Sequence, residues 1–317
     1  MNDHGGSDPH MRGPIRTAPD AALAGALAQR LPGPVRILAR RESPYASSFP
    51  LTELDVECGD GTYMTLVWKD LTPGVLLAGA RAARALGEKP DPLRELRAYE
   101  LLAGADLGTP RPIASVQEPG CTWLFLEAVP GARLEHVGDP GAWAATARWL
   151  ARAHTVLPTR ATDPAWPPPW QPPQLDGRAA QDPRVAALAP ALAAARKRIA
   201  HARATVIHGE LYAANVLIDG ARVCAIDWET IARGPALLDL AALTAGAWDD
   251  PDEPLAEAYR TALPDPPARD AFQADLAAAR LFTAARWLAA PPDWQPPPEQ
   301  ARDWLRDAET IAGRIRP

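Results

Sequence analysis

Lysine is nearly missing from this chain: Lys69, Lys89 and Lys197 stand against thirty arginines. The basic residues are dispersed and the net charge is −6, so the sequence offers no basic surface for a nucleic acid. No run of about 18 apolar residues occurs, which excludes a spanning helix. The N-terminal stretch MNDHGGSDPHMRGPIRTAPD lacks the apolar centre of a signal peptide, and the expectation is a flexible polar tail (1–18) on a cytoplasmic protein. Cysteine is scarce as well. Cys58, Cys121 and Cys224 are odd in number and lack metal-ligand spacing, which points to reduced, partly buried thiols. No internal repeat is present.

What remains is an ordinary globular composition. Apolar residues make up 47% of 317, enough for a large core divided between two lobes. The organising stretch is Val206–Trp228, VIHGELYAANVLIDGARVCAIDW. An apolar approach delivers His208-Gly209-Glu210 onto a loop, and Asn215 follows. Two β-rich runs, Val216–Ile218 and Val223–Ile226, are joined across Asp219-Gly220, a strong hairpin signal. Such a hairpin brings its outer ends together, so Asn215 and Asp227 are expected side by side near Glu210. Three converging oxygen-bearing side chains suit a hard divalent cation and a proton-accepting base.

The pattern His-x-Glu-x-x-x-x-Asn, a hairpin, then Ile-Asp-Trp-Glu resembles the catalytic core of the aminoglycoside phosphotransferase and choline kinase group, relatives of the protein kinases. That group usually has Asp where this chain has Glu210. The resemblance implies an α+β, protein kinase-like bilobal fold: a five-stranded antiparallel N-lobe sheet with one long helix (19–128, nucleotide-binding) and a mostly helical C-lobe (129–317) carrying the catalytic loop and acceptor site. It implies an ATP- and Mg²⁺-dependent transfer of a phosphoryl group to a hydroxyl of a small molecule, with no nucleic-acid or membrane partner. Asn215 and Asp227 would hold the metal, and Glu210 would accept the proton of the acceptor or orient it. His208 would hold the loop, and Asp239, in Asp239-Leu240-Ala241, would brace it through backbone hydrogen bonds.

Along the chain, Asp20–Leu31 reads as a short helix that an Asp could cap, and Val35–Arg40, Leu51–Glu57 and Thr62–Lys69 read as strands. The segment Glu42–Ser48 lacks glycine. It is either a plain hairpin loop or, by its place in the resemblance, a phosphate-covering loop in which Ser47, Ser48 and backbone N–H groups meet phosphate oxygens. Lys69 ends a period-two strand, where an ammonium either reaches water or meets an anion. The resemblance implies the second, with Lys69 on the nucleotide phosphates. Asp91-Pro92 caps the helix Leu93–Ala103. Helical geometry lets either Glu95 or Glu100 face inward, and the resemblance favours Glu95 as the group steadying Lys69.

Pro112–Gln117 and Cys121–Ala128 form another hairpin. Leu126–Gly131 resembles the hinge of that group, which implies that backbone groups at Glu127 and Val129 would pair with the base. Asp139-Pro140 caps a helix on which His154 faces the core. Pro158–Pro173 is proline-rich and is expected as an extended surface loop, either a connector or a flap over the acceptor. Asp182-Pro183 opens a helical stretch that Pro190 should break. Pro235–Trp248 is apolar enough for a buried helix, with Asp239 its charged exception. Trp248-Asp249-Asp250 is a solvated loop or a face for a cationic acceptor. Two rival functions stay open: a catalytically silent nucleotide-binding module, and a kinase-like enzyme that moves a nucleotidyl group.

Overall fold

Alternating apolar and polar residues in Leu51–Glu57 bury Thr52, Leu54 and Val56 on one face and leave the acids on the other. The computed structural model describes residues 18–43, 48–77, 91–175, 177, 181–245, 252–290 and 302–315. The tail before residue 18, most of the Glu42–Ser48 loop (Ser47 included) and Trp248-Asp249-Asp250 lie outside the described residues. The chain divides into two compact units.

The first unit holds helix α1 (Asp20–Ala28) and strands β1 (Arg36–Glu42), β2 (Leu51–Glu57) and β3 (Tyr63–Asp70). It also holds Ile113–Phe125 of strands β4 (Pro112–Glu118) and β5 (Cys121–Glu127). The sheet is antiparallel and five-stranded, in the order β1-β2-β3-β5-β4. The register of β2 on β3 pairs Leu51 with Lys69 and Glu57 with Tyr63. Leu54, Val56, Leu66, Trp68 and Phe125 pack with Leu23 and Leu27 of α1 into one core. Each fully buried side chain of this kind contributes roughly 1.5–3 kcal/mol. Asp20 is the first residue inside α1 rather than its cap: Pro19 holds the cap position and no side chain caps it.

The second unit contains α2 (Pro92–Leu102) and everything from Leu126 onward. Aspartate caps three of its helices as read from Asp-Pro pairs. Asp91 accepts from Leu93 N–H on α2, and Asp139 from Gly141 N–H on α3 (Pro140–Arg160). Asp182 accepts from Arg184 N–H on α4 (Pro183–Ala186). The stretch after Asp182 breaks as expected, and Pro190 sits in the first turn of the new helix α5 (Ala189–Ile199). After the catalytic stretch come α6 (Leu237–Ala245), α7 (Asp252–Ala262), α8 (Arg269–Leu288) and α9 (Trp304–Ala312). Helix α8 packs against α5, α6 and α9, and α3 packs against α7. No described helix is long and apolar enough to cross a membrane.

The proline-rich segment differs from its expectation as an exposed loop. Helix α3 continues through Pro158 to Arg160, and Trp166 beyond it is buried. Arg233 is the reason: its Nη2 donates to the carbonyls of Ala161 (2.8 Å), Asp163 (3.0 Å) and Trp166 (3.0 Å). One guanidinium thus satisfies backbone oxygens that would otherwise need water. The Arg97 guanidinium lies 4.7 Å from the centre of the Trp166 ring.

Candidate active site

A short antiparallel pair, β7 (Ala204–Ile207) on β10 (Ala232–Pro235), delivers the loop, with Ile207 opposite Ala232. Thr205, Val206 and Ile207 are buried, so His208 emerges directly from the core. Asp239 on the buried helix α6 then fixes the loop backbone. Its carboxylate accepts from His208 N–H (2.6 Å) and Gly209 N–H (2.8 Å), and Oδ2 also meets His154 Nε2 at 3.1 Å. His154 Nδ1 lies 2.8 Å from the Tyr259 hydroxyl. The Asp239 carboxylate can only accept, so His154 Nε2–H donates to it, while Nδ1 shares a hydrogen bond with the Tyr259 hydroxyl, whose pKa burial holds well above its ordinary range. A buried carboxylate with this many donors is a satisfied brace, as the resemblance implied. His154 belongs to that brace.

Gly209 cannot be replaced without movement. Its φ is +89°, and a Cβ there would stand 2.5 Å from the Thr230 carbonyl oxygen. Thr230 Oγ1 donates to the His208 carbonyl from the same side. The His208 ring is committed too: Nε2 donates to the Ile226 carbonyl (2.8 Å), Nδ1 faces Glu210 N–H (3.4 Å), and the ring packs 4.5 Å from Trp228. His208 therefore positions the loop and has no nitrogen left for proton transfer.

Beyond Asn215, β8 (Val216–Asp219) pairs with β9 (Arg222–Ala225). Asp219 pairs with Arg222, so the two-residue turn is Gly220-Ala221, one residue on from the expected one, with Gly220 at φ +58°. The register carries past the strands: Ile226 N–H donates to the Asn215 carbonyl at 2.9 Å. Asn215 and Asp227 are thereby brought to the same end of the hairpin. Asn215 Nδ2 donates to the Glu210 carbonyl (2.9 Å), which leaves Oδ1 as an oxygen ligand. Asp227 has φ +64°, a left-handed conformation that non-glycine residues adopt rarely and that collects at functional sites.

Asp227 also belongs to a group of carboxylates. One oxygen each from Glu95 on α2, Asp227 and Glu229 lie within 4.8 Å of one another. Two like charges at such spacing repel by roughly 3–4 kcal/mol at an effective dielectric of ~20. The all-oxygen donor set of this cluster, with Asn215 at the same end of the hairpin as Asp227, is of the kind that fits Mg²⁺. Burial separates the two glutamates of α2: Glu95 is buried and Glu100 exposed. Glu229 was not singled out as a site residue, although its spacing two positions after Asp227 was visible.

The other expected nucleotide contacts are located as follows. Lys69 is the penultimate residue of β3 and is 6% exposed. The Ser48 carbonyl accepts from Leu77 N–H. Glu127 N–H donates to the Arg111 carbonyl and its carboxylate pairs with Arg222, which holds the Glu127 carboxyl below its usual range. The Val129 carbonyl accepts from Gly131 N–H, so of the expected hinge groups the Val129 N–H has no protein acceptor among the described residues.

Comparison with known proteins then decides the family. The model of the phosphotransferase enzyme family matches residues 65–272, about two thirds of the chain. The chain belongs to the phosphotransferase enzyme family. Among solved structures it resembles choline kinase LicA from Streptococcus pneumoniae (12% identity, TM-score 0.63, 93% of this chain and 98% of that one). It also resembles a choline/ethanolamine kinase family protein from Mesorhizobium loti (16%, TM-score 0.54, 93% and 92%). Spectinomycin phosphotransferase in complex with ADP and spectinomycin is similar as well (11%, TM-score 0.55, 95% and 99%). At such identities these likenesses establish the fold, which is protein kinase-like. No curated protein matches the sequence. Family and fold together support phosphotransferase activity on a small molecule.

In this family member the loop carboxylate has a partner that the sequence reading missed. Glu210 Oε1 accepts from Nη2 of Arg286, in the last turn of α8, with both side chains partly exposed. The next residue, Trp287, meets the Tyr212 ring at 5.5 Å and stacks on Trp304 at 5.3 Å. A partner 76 residues away leaves no spacing signal.

Proposed function

We propose that the protein is an ATP-dependent, Mg²⁺-requiring phosphotransferase that moves the γ-phosphoryl group to a hydroxyl of a small molecule. The observation that carries this reading is the hairpin register, which gives Asn215 Oδ1 and Asp227 a common end beside the braced loop of Glu210. Phosphoryl transfer demands positioning and charge neutralisation more than covalent chemistry. Asp227 and Asn215 would hold Mg²⁺, with Glu95 and Glu229 extending the anionic field; when bound, the ion supplies neutralisation of the phosphates. By the family resemblance, Lys69, Ser47 and Ser48 would meet the non-transferred phosphates and Glu95 would steady Lys69. Backbone groups at Glu127 and Val129 meet the base, which makes 19–128 the nucleotide-binding part and 129–317 the acceptor part.

Glu210 accepts the acceptor's proton or orients its hydroxyl. Relative to Asp its carboxylate stands one methylene further out, and a misplacement of about 1 Å can lower a rate roughly 10²-fold. The loop must therefore be set for Glu. A choline kinase and an antibiotic phosphotransferase among the structural relatives support an aminoglycoside-, choline- or sugar-like acceptor.

The ion pair on Glu210 favours one rival, a silent nucleotide-binding module whose acid is already engaged. The test is incubation with Mg-ATP and a panel of aminoalcohols, sugars and antibiotics. The proposed reading expects ADP and a phosphorylated acceptor. AMP-labelled product means nucleotidyl transfer, and Mg-ATP binding without turnover means the silent module. Asp227→Ala is expected to abolish turnover, and full activity in that variant removes the metal assignment.

A further inference from the structure

We infer that Arg286 is the positioning residue that makes a glutamate workable in this loop: it holds Glu210 by Oε1 and leaves Oε2 to face the acceptor hydroxyl. The inference rests on the phosphotransferase reading above. Three observations converge on it. First, the loop backbone is fixed independently of the Glu210 side chain. Asp239 holds residues 208 and 209, Asn215 holds the Glu210 carbonyl, and His208 faces its N–H. The remaining freedom lies in the side-chain torsions, of which Glu has one more than Asp. Second, Arg286 removes that freedom with a charge-assisted bond to one oxygen, while Oε2 has no protein donor among the described residues.

Third, the cation is itself held. It lies in the last turn of α8, where the free carbonyl ends favour positive charge, and Trp287 beside it is wedged between Tyr212 and Trp304. Helix α8 thus touches the catalytic loop at successive positions, Arg286 on Glu210 and Trp287 on Tyr212. The loop sequence Glu210-x-Tyr212 and the helix sequence Arg286-Trp287 work as one unit. Tyr212 is buried, and burial holds its phenol far above its ordinary range, so it packs as a neutral ring. An aspartate at 210 would fall about one bond length short of this guanidinium.

The test is a kinetic double-mutant cycle on the full chain. Turnover at saturating Mg-ATP is read with water as acceptor (ATP hydrolysis) and with each member of the acceptor panel, alongside Mg-ATP affinity and melting temperature. Arg286→Met is expected to lower kcat by about 10–100-fold with Mg-ATP affinity unchanged, the scale of a small misplacement of the reacting group. Arg286→Lys, which keeps the charge without the planar fork, should recover part of the loss. In the Glu210→Asp background, Arg286→Met should change turnover less than 2-fold, because the shorter acid no longer reaches the guanidinium. If Arg286→Met does not fold, Arg286→Gln carries the same comparison.

Turnover within 2-fold of the parent in Arg286→Met overturns the inference and leaves the phosphotransferase reading standing. So does an equal loss in both backgrounds, which is the signature of a purely structural helix contact. Absence of wild-type turnover with every probe, while Mg-ATP still binds, overturns the phosphotransferase reading and this inference with it.

Discussion

Replacing Asp239 by alanine removes a buried acceptor that serves three donors at once: His208 N–H, Gly209 N–H and His154 Nε2–H. Asp239 and His154 are each 1% exposed, so bulk water does not stand ready to take over. Leaving one such donor unsatisfied costs about 1–3 kcal/mol. Cutting one member out of a buried, charge-containing network costs about 3–5 kcal/mol. The expected loss is in that upper range, since a water entering the vacated space can serve only some of the donors. Asp239→Asn keeps the volume but turns one acceptor oxygen into an N–H₂ facing a donor, so about 1–3 kcal/mol is expected. Urea unfolding followed by far-UV circular dichroism measures both, and turnover should fall in step because the loop carrying Glu210 loses its anchor. A loss below about 0.5 kcal/mol for Asp239→Ala, the range of an inert surface change, would refute the brace.

Gly209→Ala should destabilise by about 1–3 kcal/mol and depress turnover, because alanine is strained at positive φ and its Cβ meets the Thr230 carbonyl; wild-type melting temperature and rate in that variant would show the loop to be slack. Glu127 links the hinge segment to the catalytic hairpin through Arg222, and its folded-state pKa lies below the ordinary 4.5. A depressed carboxyl stabilises the fold above about pH 4.5 and loses that contribution as pH falls through the lower folded value. Unfolding free energy of the wild type should therefore drop across that acidic window more steeply than that of Glu127→Gln; parallel pH profiles would contradict the coupling.

Local signals carried much of this molecule. The Asp-Pro pairs at 91, 139 and 182 announce helix starts because cap and proline act within one turn, and all three capping bonds are present. The catalytic hairpin was legible because glycine at positive φ and flanking β-branched residues are neighbours in sequence. What stayed hidden was non-local. Strand β6, the two residues Ala132–Arg133, exists only by pairing with Ile218 and Leu217, and β10 contains a glycine and a proline that argue against a strand. The burial of Trp166 depends on Arg233, some seventy residues on, and the partner of Glu210 lies on another helix altogether. Glu95 could be chosen over Glu100 only by resemblance, since helical spacing allowed both; the structure buries Glu95 beside Asp227 and Glu229 and leaves Glu100 exposed.

The most direct measurement is anomalous diffraction from crystals of the protein grown with Mn²⁺ and a non-hydrolysable ATP analogue. The account predicts a manganese peak bound by Asp227 and by Oδ1 of Asn215, with phosphate oxygens completing its ligands. A nucleotide seated in the protein with its metal ligated by neither residue would contradict it.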